Sequence, residues 1–553
     1  MHAFMDKKSI LLLLAGVVCA GVSLHAQDTT KRRTIDITSS FKPVLRDAVK
    51  INFNAAPPAL DTSRPRLSYT IPAQYLFLNY QPGEMKPVAL QRDSVTPWEN
   101  YDYIKVGVGN IHIPYIRTGF SFGDGKTTFV NIYANELHSN GSLPYQQNNM
   151  TDLKAVGTYK TPNNLEWNGG VGYKYEGYYL YGFQPDTLKY SSSQLSQNFQ
   201  TADAHISLRN TVPTEFGLLY HPNFKVSYFT DNHSTKGTEA NTVLNLPLEK
   251  QIGKEFAFDL GFTADLTHYN LPNGQSSGQN NNIYTVNPGF LVKTSNLFLQ
   301  AAVTPSWDNK KFWLLPNFLA DISTSDQRFT IQLGWIGYYD KGSYQRFESI
   351  NPWLAQPDSL QNTRMQERYA GIKGSISNHF SYAAKVGFLE YKNMPLFVND
   401  SVNGGKDFLI RYESSMEALQ FHGEVSYLQG DEFVVTAGIN ANQYHHQTTQ
   451  AKPWGLLPVE FNTHLKWQAF KDFWAKLDLY TFQGAEYLAQ NGSAHRGDRG
   501  TDLNAGVEFR VLRQLNLWFQ MNNIFSDKYQ RWNQYQVYGF NVLGGIVFTF
   551  GGK

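Results

Sequence analysis

Two short stretches of the sequence contain residue types that could do chemistry. His445 and His446 are adjacent, and a pair of imidazoles can ligate a metal ion or contact a heme. Neighbouring residues on a strand point to opposite faces, however, and this pair ends a predicted strand beside a polar segment. We therefore interpret the pair as solvated histidines, and we predict no metal site and no cofactor.

The second stretch is FGDGK at 122–126, which resembles a glycine-rich phosphate loop. It lacks the spacing of a P-loop and the helix that follows one. Asp-Gly between two apolar runs is typical of a hairpin turn, so a turn is the favoured interpretation. Serines and further histidines are scattered without the local signature of a hydrolase, among them His379, His422 and His464. We predict that the chain is not an enzyme and name no catalytic residue.

Charged residues recur on one face of several predicted strands, where they could line a solute path. They could equally be the hydrated interior of a wide barrel, and for any single residue this second interpretation is favoured. The candidate lumen-facing charges are Glu255, Asp259, Asp265, Lys476, Asp478, Glu508 and Arg510.

The elements that carry these residues are strands. From Tyr101 onward, segments such as EFAFDLGFTADL and KDFWAKLDLYTF alternate apolar and polar residues. Successive side chains of a strand face opposite sides, so each segment has one apolar and one charged face. Such strands suit either a soluble β-sandwich or a membrane barrel whose apolar face meets lipid.

The connections favour the barrel. Short connections, such as 161–163 and 293–296, alternate with longer ones, such as 183–198 and 340–368, although 212–221 is longer than expected. A soluble sandwich has no reason for this regularity, whereas membrane barrels have short periplasmic turns and long outer loops. We predict an all-β, transmembrane antiparallel β-barrel of about 22 strands, within a range of about 18–22, over residues 101–553. Its last strand, Gly539–Phe550, should pair with Tyr103–Gly109.

Composition agrees with this class. Of 553 residues, 17% are charged and 15% are aromatic, whereas globular proteins average about 25% charged residues. The net charge of +2 argues against a nucleic-acid partner. No apolar run of about 20 residues lies outside the N-terminus, so no transmembrane helix is expected.

The N-terminal region has two parts. Residues 1–26 have a positive start, an apolar core and a small-residue site before Gln27, which predicts a cleaved signal peptide. The only cysteine, Cys19, lies inside it, so the mature chain should have no disulfide. Residues 27–100 contain eight prolines, which disfavour a regular sheet. We predict a proline-rich periplasmic or luminal segment there.

The C-terminal residues carry a resemblance. The run NLWFQMNNIFSDKYQRW, followed by YGFNVLGGIVFTF, resembles the last two strands of TonB-dependent receptors of the Bacteroidetes type. Gly545, Phe548 and Phe550 also resemble the signal that the barrel assembly machinery recognises, although Leu543 departs from its usual polar residue. The resemblance implies a 22-strand barrel in the outer membrane of a Gram-negative bacterium, in contact with lipid.

The N-terminal end departs from that family. Thr34, Ile35, Asp36, Ile37 and Thr38 resemble a TonB box only loosely, and the residues after them are too few and too proline-rich for a full plug domain. The plug of these receptors holds the ligand site and receives the pull of TonB. Because this sequence has too few residues for a full plug, three functions stay open. The favoured one is uptake or binding of a solute with a reduced plug. The alternatives are a non-transporting scaffold barrel in an outer-membrane complex and a passive porin. The expected protein partner of the chain is TonB or another periplasmic or outer-membrane protein.

Overall fold

The computed structural model describes residues 102–550 apart from 183–188, 271–277, 327 and 431. The predicted signal peptide, the 27–100 segment and the TonB-box-like residues Thr34–Thr38 lie outside the described residues. Within the described part of the chain, nearly every element is a strand, and the two helices, α1 (Ser192–Leu195) and α2 (Tyr344–Ile350), are short. No helix in this part is long and apolar enough to cross a membrane.

Twenty-two antiparallel strands form one closed barrel, as predicted. The barrel strands are β1 (Asp102–Gly109), β2 (His112–Gly123), β3 (Thr128–Asn140), β4 (Gln147–Lys160), β5 (Leu165–Tyr179), β6 (Ser196–Asn210), β8 (Asn223–Asp231), β9 (Thr238–Ile252), β10 (Phe256–Asn270), β11 (Gln279–Lys293), β12 (Leu297–Asp308), β13 (Lys311–Ser323), β14 (Phe329–Asp340), β15 (Thr363–Ile376), β16 (Phe380–Asn399), β17 (Phe408–Gln429), β18 (Phe433–His445), β19 (Val459–Phe470), β20 (Phe473–Gln483), β23 (Gly500–Leu512), β24 (Leu515–Asn522) and β27 (Asn541–Phe550). Each pairs with its neighbours along this order, and closure removes the free edges of the sheet.

The seam is the predicted one. β27 pairs with β1 in a register that runs from Asp102 opposite Phe550 to Gly109 opposite Leu543. On β27, Ile546 and Phe548 are about two-fifths exposed on the outside, whereas Leu543 and Val547 are buried inside. The alternation read from the sequence therefore sets which face points into the barrel.

The outer wall of the barrel is apolar along its length. On β10, for example, Phe256, Phe258 and Leu260 are exposed, whereas Ala257 and Tyr269 of the opposite face are buried. Soluble proteins rarely expose contiguous apolar surface larger than a few hundred Å², so a wall of this kind is suited to lipid.

The two ends of the barrel differ, again as predicted. At the short-turn end the connections are tight, for example 253–255, 294–296 and 513–514. The exception is 211–222, which contains the short strand β7 (Leu218–Tyr220) laid against β9. At the opposite end, which we call the long-connection end, lie the other long connections, for example 341–362 and 523–540.

Several outer loops are shorter than predicted because the strands continue beyond their apolar stretches. β14 and β15, for instance, remain paired up to Asp340 opposite Thr363, so the predicted loop 340–368 is reduced to 341–362. The additional residues are mixed in polarity. They form ladder hydrogen bonds, but their sequence does not alternate between apolar and polar residues and so does not predict a strand. Four further strands lie in the long connections: β21 (Glu486–Leu488), β22 (Ala494–Arg496), β25 (Gln530–Trp532) and β26 (Tyr535–Gln536).

Candidate functional site at the long-connection end

The connection 341–362 between β14 and β15 enters the mouth of the barrel. It begins with α2, whose N-cap Ser343 accepts a hydrogen bond from the Arg346 backbone N–H through its side chain. Asn351 and Pro352 end the helix, because the residue before a proline disfavours helical geometry. Tyr344 and Phe347 are fully buried, so the helix packs into the mouth rather than projecting into solvent.

The wall formed by β8, β9 and β10 holds the start of this connection. The Ser343 hydroxyl donates to Glu239 Oε1 at 2.6 Å, and the Tyr344 hydroxyl donates to Asp231 Oδ2 at 3.0 Å. Lys341 Nζ lies 3.0 Å from Asp265 Oδ1. Burial lowers the pKa of Lys341, and the Asp265 carboxylate opposes that shift. These contacts fix the connection against one side of the barrel.

The middle of the connection reaches other parts of the mouth. Trp353 stacks on Tyr535 at a centroid distance of 4.0 Å, and the Tyr181 ring packs edge-on against both. Gln197 Nε2 donates to the Leu354 carbonyl at 2.7 Å, and Leu354 forms a parallel bridge with Phe408. The connection therefore spans from β8–β10 and β6 to the β16–β17 hairpin and the connection 523–540.

Together these contacts build a hydrophobic core in the mouth. We refer to it as the mouth core; among the described residues it comprises Tyr178, Leu180, Leu195, Phe199, Phe229, Tyr269, Tyr344, Phe347, Ile350, Trp353, Leu354, Leu360, Phe397, Phe408, Trp532 and Tyr535. Buried aromatic pairs contribute about 0.5–1.5 kcal/mol each beyond their burial. The long-connection end is thus packed with side chains.

A cavity of about 690 Å³ lies beside the mouth core. Its lining comes from the connections 484–499 and 523–540, the tip of the β16–β17 hairpin and Gly455. Polar and charged groups dominate this lining, including Glu486, Arg496 and Arg531. Arg496 forms an ion pair with Glu486 at 2.8 Å and is therefore neutralised within the cavity wall.

Arg531 is the unusual member of the lining. Its residue is only 6% exposed, yet a guanidinium cannot be neutralised by deprotonation. Its Nη2 donates to the Gly455 carbonyl at 3.0 Å, and the group lies 4.3 Å from the Trp532 ring centroid. Its Nη1 finds no hydrogen-bond partner among the described residues. A buried cationic donor left unpaired costs about 1–3 kcal/mol or more, and an anionic ligand group would satisfy it.

The predicted lumen-facing charges do not form one site. All but Glu255 lie on the face opposite the exposed apolar side chains, and Glu255 is in the turn 253–255. Asp259 and Asp265 are on β10, whereas the others are on β20 and β23, on another part of the wall. Their contacts are with residues on neighbouring strands or turns: Asp478 pairs with His464, and Glu508 accepts a hydrogen bond from Asn516 Nδ2. Arg510 lies 3.5 Å from Asp472. Lys476 lies on the same face of β20 as Asp478. A solute path along them stays a prediction.

The two motifs with possible chemistry have different outcomes. FGDGK forms the turn between β2 and β3, as predicted. The Asp124 carboxylate accepts a hydrogen bond from the Thr127 hydroxyl and further bonds from the backbone N–H groups of residues 126–128, and these bonds lower the pKa of Asp124. The expectation that His445 and His446 face opposite sides is wrong, because His446 follows the end of β18 and has φ 55°.

The residues of the predicted insertion signal lie in the seam. The Phe548 and Phe550 rings pack at a centroid distance of 5.0 Å. A Cβ at Gly545 would lie 1.9 Å from the Val106 carbonyl oxygen of β1, so glycine is needed there for close approach of the strands. Recognition by the barrel assembly machinery stays a prediction.

Comparison with known proteins identifies the architecture. No protein-family model matches the sequence, and no curated protein matches it. Among solved structures, the siderophore receptor PirA from Pseudomonas aeruginosa aligns with a TM-score of 0.57 at 10% identity, over 81% of this chain and 79% of that one. PirA from Acinetobacter baumannii gives 0.60 at 11%, over 81% and 80%. The ferric enterobactin receptor PfeA of P. aeruginosa, in complex with enterobactin, gives 0.60 at 10%, over 81% and 81%.

The barrel has the receptor fold. These neighbours are TonB-dependent siderophore receptors with 22-strand barrels. They are transport receptors rather than enzymes, and they are proteins of the Gram-negative outer membrane. At 10–11% identity the likeness extends to the fold.

Sequence reasoning did not single out the residues of the mouth core or Arg531. A signal was present: several large aromatic residues lie in the long connections, among them Trp353, Trp454, Trp532 and Tyr535. Large aromatic side chains in a loop indicate that the loop is packed rather than solvated.

Proposed function

We propose that this chain is an outer-membrane barrel of the TonB-dependent receptor type that binds a solute at its long-connection end, for uptake. The observation that carries the proposal is Arg531, a buried guanidinium with an unpaired donor that lines a polar cavity. A solute with a carboxylate or phosphate group would pair with the Arg531 guanidinium, because such groups form charge-assisted hydrogen bonds with guanidinium. In this arrangement the long-connection end faces outside the cell, as in other outer-membrane barrels.

The same proposal assigns the N-terminal residues. In this receptor of the Bacteroidetes type, residues 1–26 are the signal peptide, the proline-rich residues 27–100 are a reduced plug, and Thr34–Thr38 are the contact for TonB. Residues 101–553 form the barrel, inserted by the barrel assembly machinery through Gly545, Phe548 and Phe550. Because a 22-strand barrel is wide enough for an open channel, both the mouth core and the reduced plug are needed to prevent leakage.

Titration of the purified full chain tests the binding site. Citrate and inorganic phosphate serve as carboxylate and phosphate probes, measured by calorimetry on the wild type, Arg531→Gln and Arg499→Gln. Arg499 is exposed, does not line the cavity and is the matched control. We expect at least one probe to bind the wild type, with a loss of about tenfold or more only in R531Q, equivalent to 1.4 kcal/mol. Equal binding by the wild type and R531Q, or no binding of either probe, would contradict the assignment.

Conductance tests the reduced plug. The mature protein in a planar bilayer should show little steady conductance, and deletion of residues 27–100 should raise it. A porin-like conductance of the intact protein would refute the luminal placement of this segment and would favour the passive porin.

The mouth core also supports the second function, a scaffold barrel. Transport requires the connection 341–362 to leave contacts with several walls of the barrel, whereas a scaffold does not. Affinity purification from native outer membranes separates the two. A stoichiometric protein partner that persists without TonB favours the scaffold, and TonB-dependent accumulation of a solute favours the receptor.

A further inference from the structure

A cluster of potential metal ligands lies at the end of β18, away from the cavity described above. His445 pairs with Glu417 of β17 across the ladder, and His446 is the first residue of the connection 446–458. The Nδ1 atoms of both imidazoles approach one carboxylate oxygen, Glu417 Oε2, at 3.5 Å and 2.7 Å. The three ligand atoms all lie within 4.8 Å of one another.

The backbone produces this convergence. On a regular strand, two consecutive side chains point to opposite faces. His446 has φ 55°, a left-handed conformation that brings its ring to the side of His445, with centroids 4.6 Å apart. For a residue other than glycine this conformation costs about 1–3 kcal/mol when the surroundings must impose it.

The ligand chemistry suits a borderline divalent ion. His445 Nδ1 is buried and has no hydrogen bond in the described part of the chain, since its approach to Glu417 lacks hydrogen-bond geometry. Two imidazoles and one carboxylate are the protein ligands of many Zn²⁺ sites, with a water in the fourth position. In a tetrahedral site with bonds of about 2.0–2.1 Å, ligand atoms lie about 3.3 Å apart. The His445–Glu417 distance already fits, and the shorter His446–Glu417 distance lengthens when the ion enters.

One neighbouring cation bears on the site. Lys392 lies close enough to act electrostatically on the Glu417 carboxylate, but its Nζ donates to Ser415 Oγ at 2.6 Å. Among the described residues, no Lys or Arg nitrogen pairs with Glu417 within 4.0 Å, and the nitrogens that do so are Nδ1 of the two histidines. The space between the imidazoles and the carboxylate is therefore bounded by ligands.

We propose that Glu417, His445 and His446 bind one divalent transition-metal ion of the Zn²⁺, Ni²⁺ and Cu²⁺ class. The ion joins β17 to the first residue of the connection 446–458. This connection carries Trp454, Leu456 and Leu457 into buried positions of the barrel mouth. Metal binding thus fastens the root of a packed outer loop to the wall.

Metal titration of the full-length protein tests the site. The protein is purified in detergent without a polyhistidine tag and titrated with Zn²⁺, and Cu²⁺ binding is followed by electron paramagnetic resonance. We expect one equivalent of Zn²⁺, a loss of affinity of about tenfold or more in His446→Ala and in Glu417→Gln, and Cu²⁺ spectra with coupling to two nitrogens. His379→Ala is the matched control, because His379 lies in a turn at the opposite end of the barrel.

Three outcomes would overturn the proposal. These are the absence of stoichiometric Zn²⁺ binding, unchanged affinity in both H446A and E417Q, and loss of affinity in H379A equal to that in H446A. His379 and His446 are both surface residues, so their alanine variants are expected to fold. Heat-modifiable gels show whether each variant forms a folded barrel before its Zn²⁺ affinity is compared with that of the wild type.

Discussion

Replacing Trp353 by alanine should loosen the mouth of the barrel without unfolding its wall. Trp353 is only 3% exposed, stacks on Tyr535 and contacts the Tyr181 ring. A buried tryptophan contributes about 150–250 Å² of surface, and truncation of such a side chain costs about 3–5 kcal/mol. Because the lost contacts belong to the mouth core, this cost falls on the equilibrium between packed and opened connections rather than on the strand ladder.

The magnitude can be measured as an opening equilibrium. Each 1.4 kcal/mol changes an equilibrium constant tenfold, so W353A should populate the opened mouth about a hundred to several thousand times more. A cysteine placed at Leu195, which is fully buried in the mouth core, reports this opening through its reaction with a membrane-impermeant maleimide. The only natural cysteine, Cys19, lies in the predicted signal peptide and does not interfere.

The control is Trp467→Ala in the same Leu195→Cys background. Trp467 lies on β19 and is 47% exposed on the outer wall, so its truncation leaves the mouth core intact. We expect faster labelling in W353A and an unchanged rate in W467A. Equal labelling rates in the two variants would show that the connection 341–362 does not close the mouth, and the packing argument would fail.

Two further predictions concern the wall. Lys385→Met should lower the thermal midpoint of the barrel in detergent, because Lys385 and Glu367 form a buried ion pair at 2.6 Å and breaking such a pair costs about 3–5 kcal/mol. Adding Glu367→Met to this variant should recover most of the loss. Equal midpoints for the single and double variants would contradict this explanation. Gly545→Ala should reduce the yield of folded barrel on heat-modifiable gels, because the new Cβ would meet the Val106 carbonyl oxygen at 1.9 Å. Gly544→Ala is the control, since its nearest neighbour lies at 3.3 Å, and equal yields of the two variants would remove the steric explanation.

The charge pattern shows the limit of reading one strand at a time. The face of each charged residue followed from period-two alternation, so Asp259 and Asp478 were predicted to point inward, and they lie on the face opposite the apolar wall. Which charge meets which depends on register and on the position of each strand around the barrel. Lys341, for example, reaches Asp265 from a connection far along the chain.

The histidine pair shows the limit of regular geometry. Adjacent side chains point to opposite faces within a strand, and His445 is the last residue of strand β18. His446 departs because the chain leaves the ladder there in a left-handed conformation. Only a minority of histidines adopt this conformation, so the residue type does not predict it. The convergence on Glu417 could be seen only once β17 and β18 were in register.

The sequence by itself determined the barrel: its strand number, its apolar outside, the pairing of its last strand with its first and the difference between its two ends. These features follow from alternation and from connection length, which are local properties that any segment reveals without its partners. Only the tertiary structure decided what occupies the mouth and where Arg531, Trp353 and Glu417 lie. Their partners come from connections and strands far apart in the chain, and no local period encodes contacts between loops that meet across a barrel.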